Sequence, residues 1–479
     1  MSTFSGIQQA ATSLAASQYG LQVVSQNIAN ASTPGYTRQS VDLASVDPVG
    51  GVPRRYTVGG GPGGVTVTGT SRLNDAVIDA RARTEHSRSA LADTTAAQLS
   101  QIEDIFPEPS DTGLAEQLST FWSDWAKVAN DPTSAAPRTV LLQDGATVAS
   151  TLNSMSRSLS DVGAAAAQSL GNDLDEANTA ASSLAALNTQ IRLAHNTGVS
   201  DNSLLDQRDV LLDKLSQLVG GVATINADGT ATVKVGTDAS GAGGVTYVDG
   251  TTDTAQTLSD DPTSGYAISA LDPSTGTTTA ITLSGGSAAG SFTTLTSTLP
   301  GVQNQLDAVA TALATAVNGA QANGYDVAGN AGTDMFSVPT STGPGSIAAG
   351  IQVVMTDPNL VAASGLQQLD GSGNPIPNKD GSNALGASQL GTASGSADNV
   401  YASLIGAVAA SSKLAQQGQA TQDAVTSSVD ALRQSASGVN LDEEVTNMLT
   451  LQHAYQASSR VLSTMNDLLD TLINHTGVG

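Results

Sequence analysis

Apolar residues recur at helical spacing at both ends of the chain. Ile7, Leu14, Leu21 and Ile28 stand seven residues apart, with Ala11, Gln18 and Ser25 between them in steps of four and three. Near the other end Leu441, Val445 and Met448 begin a second stripe, which Leu462, Met465, Leu469 and Leu472 continue. Such steps put side chains on one helix face. They predict a first helix from about Ser2 to Asn30 and a last one from about Leu441 to Asn474. Matching coiled-coil strips at the two termini suggest that the ends pair and take part in an assembly. Two helices of an ordinary closed bundle would give the same stripes, but the flanking positions are mostly Ala, Ser, Thr, Gln and Asn. A lone helix of this length is marginal in water, so both ends are expected to be frayed in the monomer and to order as many copies pack.

Between the ends the texture changes three times. Asn27-Ile28-Ala29-Asn30-Ala31-Ser32-Thr33-Pro34-Gly35-Tyr36 stops the first helix in a turn. Residues 41–67 read as extended segments broken by glycine, and the Gly59–Gly64 run lacks the Lys-Ser/Thr of a phosphate loop. Residues 71–218 are helical. Leu91, Leu99, Ile102 and Phe106 mark one helix, and Leu114, Leu118, Phe121, Trp125 and Val128 a second. Pro137 opens a pattern that runs to Ala194, a helix on the order of 90 Å long, with Gly163 and Gly171 as expected sites of a bend or break. From Val219 short alternations and turn signals such as Asp228-Gly229 and Asp249-Gly250 indicate β structure. A helix returns near 300–319, a strand is expected at Ile351–Met355, and 397–434 is helical again.

The plan is nested. The fold class is α+β multidomain: terminal helices (1–40 and 437–479) paired as a coiled coil, a mainly helical middle (41–218 and 397–436), and a β-rich insert (219–396) with an internal helix.

Composition narrows the function. Charged residues make up 13% and aromatics 3% of 479 residues, so cores are thin and rich in small side chains. The net charge of −25 argues against nucleic acid and against anionic membrane surfaces. No run of about 18 apolar residues exists, so no membrane insertion is expected. The first twenty residues have no basic region followed by an apolar core, so no cleaved signal peptide of the general secretory type is expected. With no cysteine, disulfides and thiolate metal sites are excluded.

Candidate chemistry is sparse. His86, His195, His453 and His475 lack metal-ligand spacing, and no metal or cofactor is expected. No nucleophile, acid and base set stands out, so no catalytic residue is assigned. Asp206, Arg208 and Asp209 read as an ion-pair and capping network rather than an acid–base pair. Arg72, Arg81, Arg83 and Arg88 form the densest basic group, either a solvated helix face or a contact for an acidic neighbour.

The Asn27–Tyr36 segment resembles the N-terminal signature of the bacterial flagellar axial proteins, which comprise rod, hook and hook-associated proteins. Ser32 stands where the usual form has Asn or Thr. Ser437-Gly438-Val439-Asn440-Leu441-Asp442-Glu443-Glu444, with Gln452-His453-Ala454-Tyr455-Gln456-Ala457, resembles the C-terminal signature of the hook-associated branch. Asp111–Leu114, Leu187–Ile191, Leu205–Asp209 and Gly324–Gly332 are similar to internal segments of that branch.

The resemblance implies a non-catalytic adaptor between hook and filament, extracellular at the hook–filament junction. Its terminal helices would line an inner tube, its helical middle would form the next shell, and its β parts would face outward. It implies export of the unfolded chain through the flagellar type III apparatus, and a cytosolic chaperone on the C-terminal helical region. Its partners would be copies of itself in a ring, the hook protein and the next junction protein. The assembly interface is then expected at Ile7, Leu14, Leu21, Ile28, Leu441, Val445, Met448, Tyr455, Leu462, Met465, Leu469 and Leu472, with a turn motif at Asn27, Asn30, Pro34, Gly35 and Tyr36. A hook or distal-rod subunit is the near alternative, and a secreted adhesin using the β parts is the alternative from another class.

Overall fold

The computed structural model describes residues 3–46, 63–198, 201–238, 243–340, 343–377, 379–471 and 473. Leu472, His475, Asn474 and most of the Gly59–Gly64 run lie outside the described residues. The first helix, α1, spans Thr3–Ala29, and an antiparallel hairpin of β1 (Gln39–Val46) and β2 (Gly64–Arg72) follows it. Helices α2 (Ala76–Glu103), α3 (Leu114–Asn130), α4 (Ala135–Thr197) and α5 (Asn202–Val219) make up the helical middle.

A seven-stranded antiparallel sheet comes next. Its strands are β3 (Val222–Ile225), β4 (Ala231–Asp238), β5 (Gly243–Asp249), β6 (Thr254–Ala255), β7 (Thr257–Asp261), β8 (Ala267–Leu271) and β9 (Thr278–Thr282). Their order is β6-β5-β4-β9-β8-β7, with β3 on the first half of β4. The chain then returns to helix through α6 (Gly286–Thr293), a π-helical turn and α7 (Leu299–Ala322). Short elements follow: β10 (Phe336–Ser337), α8 (Ser346–Gly350), β11 (Gln352–Val353), β12 (Gln368–Leu369), β13 (Pro375–Ile376) and α9 (Ser382–Ser388). Two long helices, α10 (Ala397–Ser437) and α11 (Leu441–Asp470), close the fold.

The 63-residue α4 is the spine. At 1.5 Å per residue it is about 95 Å long, and neither Gly163 nor Gly171 breaks it. Glycine in a helix interior costs only about 1 kcal/mol, which the packing on both sides of α4 offsets. The helix ends at Gly198 in the left-handed region (φ 71°).

Two cores share this spine. Leu141, Val148, Leu152 and Leu159 on its first half pack with α3, α7, α10 and the 335–387 segment. Leu170, Leu174, Ala181 and Leu184 on its second half pack with α5, α6 and the sheet. The stretch 219–396, expected as one β-rich insert, therefore divides between the two. Its first part forms the sheet, and α7 onward joins the helical core, because the apolar stripe Val302, Leu306, Val309, Leu313 and Val317 is buried in the core that α7 shares with α4 and α10. The strand expected at Ile351–Met355 shrinks to a two-residue pairing of β11 with β10.

One device recurs at the joints. The amides of Asn178, Asn188 and Asn318 on helices each clamp an extended residue by donating to its C=O and accepting from its N–H. The partners are Leu258 (2.8 and 2.8 Å), Ala231 (2.9 and 2.9 Å) and Phe336 (2.7 and 3.0 Å). A helix cannot pair with a strand through its own backbone, so an asparagine side chain supplies a peptide-like group at the contact.

The α2–α10 contact is largely polar. Asp93 accepts from Gln419 (2.8 Å), Glu85 from Gln422 (2.9 Å) and Asp79 from Arg433 (2.9 Å), and His86 Nε2 lies 2.8 Å from Asp430. Of the candidate basic group, Arg72 is tied into ion pairs, Arg81 and Arg88 are exposed, and Arg83 is buried. Among the described residues no helix is long and apolar enough to cross a membrane.

Between α3 and α4, Asp144 meets Asp124. A hydrogen bond between the two carboxyl groups, burial and the Asp124 charge push Asp144 up from 3.8 to about 6, while Lys127 pulls it down. A carboxyl whose folded value is raised holds its proton more tightly when folded. The stability this contributes is present below about pH 4 and lost as pH rises through about 6. Asp144→Asn mimics the protonated form. It is expected to melt above the parent at pH 7.5, with the difference shrinking toward pH 4, as differential scanning calorimetry would show.

Candidate functional site: the paired termini and their turn

α1 and α11 run antiparallel along their lengths, in heptad register. A methyl group built on Gly6 would lie 3.0 Å from the Met465 side chain, and one on Gly20 would lie 3.1 Å from Leu451. The Ser13 and Ser458 hydroxyls are 3.0 Å apart, and the Asn27 amide donates to Glu444 Oε2 at 3.1 Å. Each step of seven along α1 is thus met by a step of seven back along α11. The 3.5-residue repeat of a coiled coil produces this pattern.

The seam lies one position before the stripe read from the sequence. Gly6, Ser13, Gly20 and Asn27 face α11, and Ala10, Ala16, Val23 and Val24 are buried beside them. Ile7, Leu14, Leu21 and Ile28 flank the seam and are half-buried. On α11, Met448, Leu462, Met465 and Leu469 are half-buried, while Leu441, Val445 and Tyr455 are exposed. Small residues let two helices approach closely, so the row of α1 nearest α11 is not its most apolar one.

The turn end of the pair is a buried polar knot. Asn27 and Glu444 are each 1% exposed. Asn27 Oδ1 accepts from the Tyr36 hydroxyl (2.8 Å) and from the Gln39 N–H (3.0 Å), while its Nδ2 donates to Gln39 O (2.9 Å) and to Glu444. All four bonding positions of the amide are used, and it is the fourth helix asparagine to clamp an extended residue. Arg38 Nε donates to Glu444 Oε1 (2.7 Å), and its Nη1 donates to Glu443 (2.8 Å).

Asp442, Glu443 and Glu444 fill the first turn of α11, where the helix dipole favours negative charge, and Asn440 caps it. Burial, with the charges of Asp206 and Glu444, pushes the Tyr36 phenol up to about 12. Asn30 O accepts from the Thr33 N–H (2.9 Å), and Thr33 O accepts from the Tyr36 N–H (3.2 Å). Pro34 is exposed.

The knot is anchored to the helical middle. Gly35 has φ 78°, and a methyl there would lie 2.2 Å from Val210 on α5. Arg72, at the end of β2, pairs with Asp206 (2.9 Å) and Asp209 (2.6 Å) and donates to Thr37 Oγ1 (2.9 Å). Burial alone would raise Asp209, but the Arg208 and Arg72 guanidiniums outweigh it and hold the carboxyl below its ordinary value. Asn202 Nδ2 donates to Gln39 Oε1 and to Thr70 O, at 3.2 Å each. The Asp206–Asp209 segment is thus an ion-pair network joining the hairpin to α5. Arg38, Gln39 and Asn202 escaped the sequence reading. The alternation of Asn, Tyr and Gln over 27–39 was their only trace. Of the histidines, His86 pairs with Asp430, His195 lines a small cleft beside Gly229, and His453 is exposed.

Paired terminal helices around a long helical middle define the class of flagellar axial proteins. Sequence models described as "Flagella basal body rod protein" and "Flagellar basal body rod FlgEFG protein C-terminal" match residues 7–37 and 433–475. That described as "Flagellar hook-associated protein FlgK helical domain" matches residues 99–336. Flagellar hook-associated protein 1 of Bacillus subtilis (strain 168) is 32% identical, covering 100% of this chain and 99% of its own. The protein of that name from Escherichia coli (strain K12) is 27% identical over 98% of this chain and 99% of its own. The chain belongs to the flagellar hook-associated protein 1 family, a structural component of the bacterial flagellum. In fold it is similar to the flagellar hook junction protein FlgK from Burkholderia pseudomallei, with a TM-score of 0.64 at 18% identity, over 74% of this chain and 100% of that one.

Asn27→Ala would leave the Tyr36 hydroxyl, the Gln39 backbone and Glu444 each short of a partner. The expected cost is about 1–3 kcal/mol, seen as faster amide exchange over residues 20–36 and 437–451. Gly20→Val would force Leu451 aside, with a cost of about 1–3 kcal/mol. It is expected to lower the protection of both terminal helices while leaving α4 unchanged.

Proposed function

We propose that this chain is a non-catalytic adaptor that joins hook to filament and is built into the flagellum through α1 and α11. The observation that carries this reading is the one-sided packing of α11. Among its described residues only Glu444 is buried, while Leu441, Val445, Leu449, Val461 and Leu468 are each about half exposed. α1 covers one face, and the remaining apolar residues are left for neighbours. A lone subunit gains little from exposing so much apolar surface on a long helix. In a ring, copies of α1 and α11 would bury it, together with Ile7, Leu14, Leu21 and Ile28, at about 1.5–3 kcal/mol per fully buried large side chain. The same surface gives a cytosolic chaperone on the C-terminal helices a reason to exist before export. The polar knot would fix the angle between this inner pair and the outer parts.

The relatives' names, hook-associated protein 1 and hook junction protein, support a place at the hook; from that place we take the chain to be extracellular and to adjoin hook protein, further copies of itself and the next junction protein. The lack of cysteine and the scarcity of aromatic residues suit export of the unfolded chain through the type III apparatus. The rod-like matches at the two ends favour a shared mode of assembly, while the hook-associated middle separates this chain from a rod or hook subunit.

Removal of residues 441–479 is expected to leave a soluble core that no longer caps isolated hooks. Electron microscopy of hooks incubated with each form reads this directly, and capping by the truncated chain would overturn the mechanism. Antibody labelling of purified flagella is expected to give a single band at the hook–filament boundary rather than a coat along the hook.

A further inference from the structure

Arg83 stands apart from the other buried arginines. Arg138 donates to the carbonyls of Pro132, Pro358 and Val361, and Arg208 pairs with Asp209. Arg83 is only 7% exposed, yet among the described residues no hydrogen bond or ion pair holds its guanidinium. Its nitrogens open onto a cleft rather than onto another side chain, and a charged donor so placed can hold an anion through charge-assisted hydrogen bonds.

The space beside it is a cleft of about 280 Å³ between α2, the end of α5, the edge strand β3 and the loop before α6. Arg83, Ser87, Arg88, Ser216, Ser284 and Gly285 are among its walls, and no lining residue is acidic. That absence is informative in a chain with 43 Asp and Glu against 18 Lys and Arg. Ser216 fixes the arginine by donating to the Arg83 carbonyl. Ser87 is nearly buried, and its hydroxyl has no partner among the described residues. A methyl group at Gly285 would lie 2.3 Å from Ser87 Oγ, so only glycine leaves that hydroxyl room. Gly285 is also the N-cap of α6, which no side chain caps. Arg88 stands at the rim, held among the described residues by contacts of 3.3 and 3.4 Å to Glu85. That volume leaves room for one hydrated carboxylate or phosphate group.

We infer that this cleft is an oxyanion site in which Arg83 and Ser87 bind a carboxylate or phosphate group, with Arg88 guiding it in. The group comes either from a free anion or from an acidic side chain of an adjoining subunit. Calorimetric titration of the full chain with sodium phosphate and with sodium acetate, at constant ionic strength, tests the site. One saturable event is expected for at least one anion. Arg83→Gln should weaken it by about tenfold or more, and Arg81→Gln, which changes an exposed charge outside the cleft, should leave it unchanged. Absence of saturable binding to the parent chain would overturn the proposal, as would equal losses in the two variants.

Capping of isolated hooks, with and without phosphate, then identifies the source. If a neighbour's carboxylate fills the site, phosphate and Arg83→Gln both weaken capping. If a free anion fills it, capping is unaffected while the calorimetric binding remains.

Discussion

The close approach of α1 to α11 is the constraint on which the rest depends. Two glycines, a serine and an asparagine at seven-residue steps bring the helices together, and nothing larger fits at Gly6 or Gly20 without displacing Met465 or Leu451. Small residues bury little apolar area, so this seam contributes modest hydrophobic stabilisation per turn. Its register is fixed instead by polar groups, the Ser13–Ser458 contact and the Asn27–Glu444 bond. A buried polar residue at one heptad position is a known way of specifying register at some cost in stability. A marginal, well-registered pair with apolar flanks suits a subunit that completes its packing only among neighbours.

The same economy governs the outer parts. One long helix carries two cores, and its asparagines stitch extended segments of the sheet to it. α2 and α10 meet through a ladder of carboxylates, amides and arginine. Each of these hydrogen bonds contributes only about 0.5–1.5 kcal/mol net, and somewhat more where a charge is involved, so the contact is specific without being strong. In a chain of small and polar residues, geometry has to be set by hydrogen bonds.

Much of the architecture was legible along the chain. Periodicity gave the long helices, because steps of three and four survive whatever the helix packs against. Turn residues marked the sheet from Val222 to Thr282, and Gly438 separated the last two helices as expected. The β-rich stretch from 219 to 396 was misread as one unit, since short strands and loops carry no signal of which core they join. α7 joined the helical core because its stripe found matching surfaces on α4 and α10. Gly163 and Gly171 read as breaks, yet packing on both halves of α4 outweighed the local preference.

The sequence by itself determined the helical ends and the Asn-rich turn, because local spacing and residue chemistry suffice for these. Only the tertiary structure decided which row of α1 faces α11, that Asn27 spends every bonding position on Tyr36, Gln39 and Glu444, and that Arg72 rather than Arg208 ties the hairpin to α5. The physical reason is common to all three. A residue's hydrophobicity is its own property, but its closeness to a partner hundreds of positions away depends on how two backbones pack. The smallest side chains, which carry the weakest sequence signal, permit the closest approach.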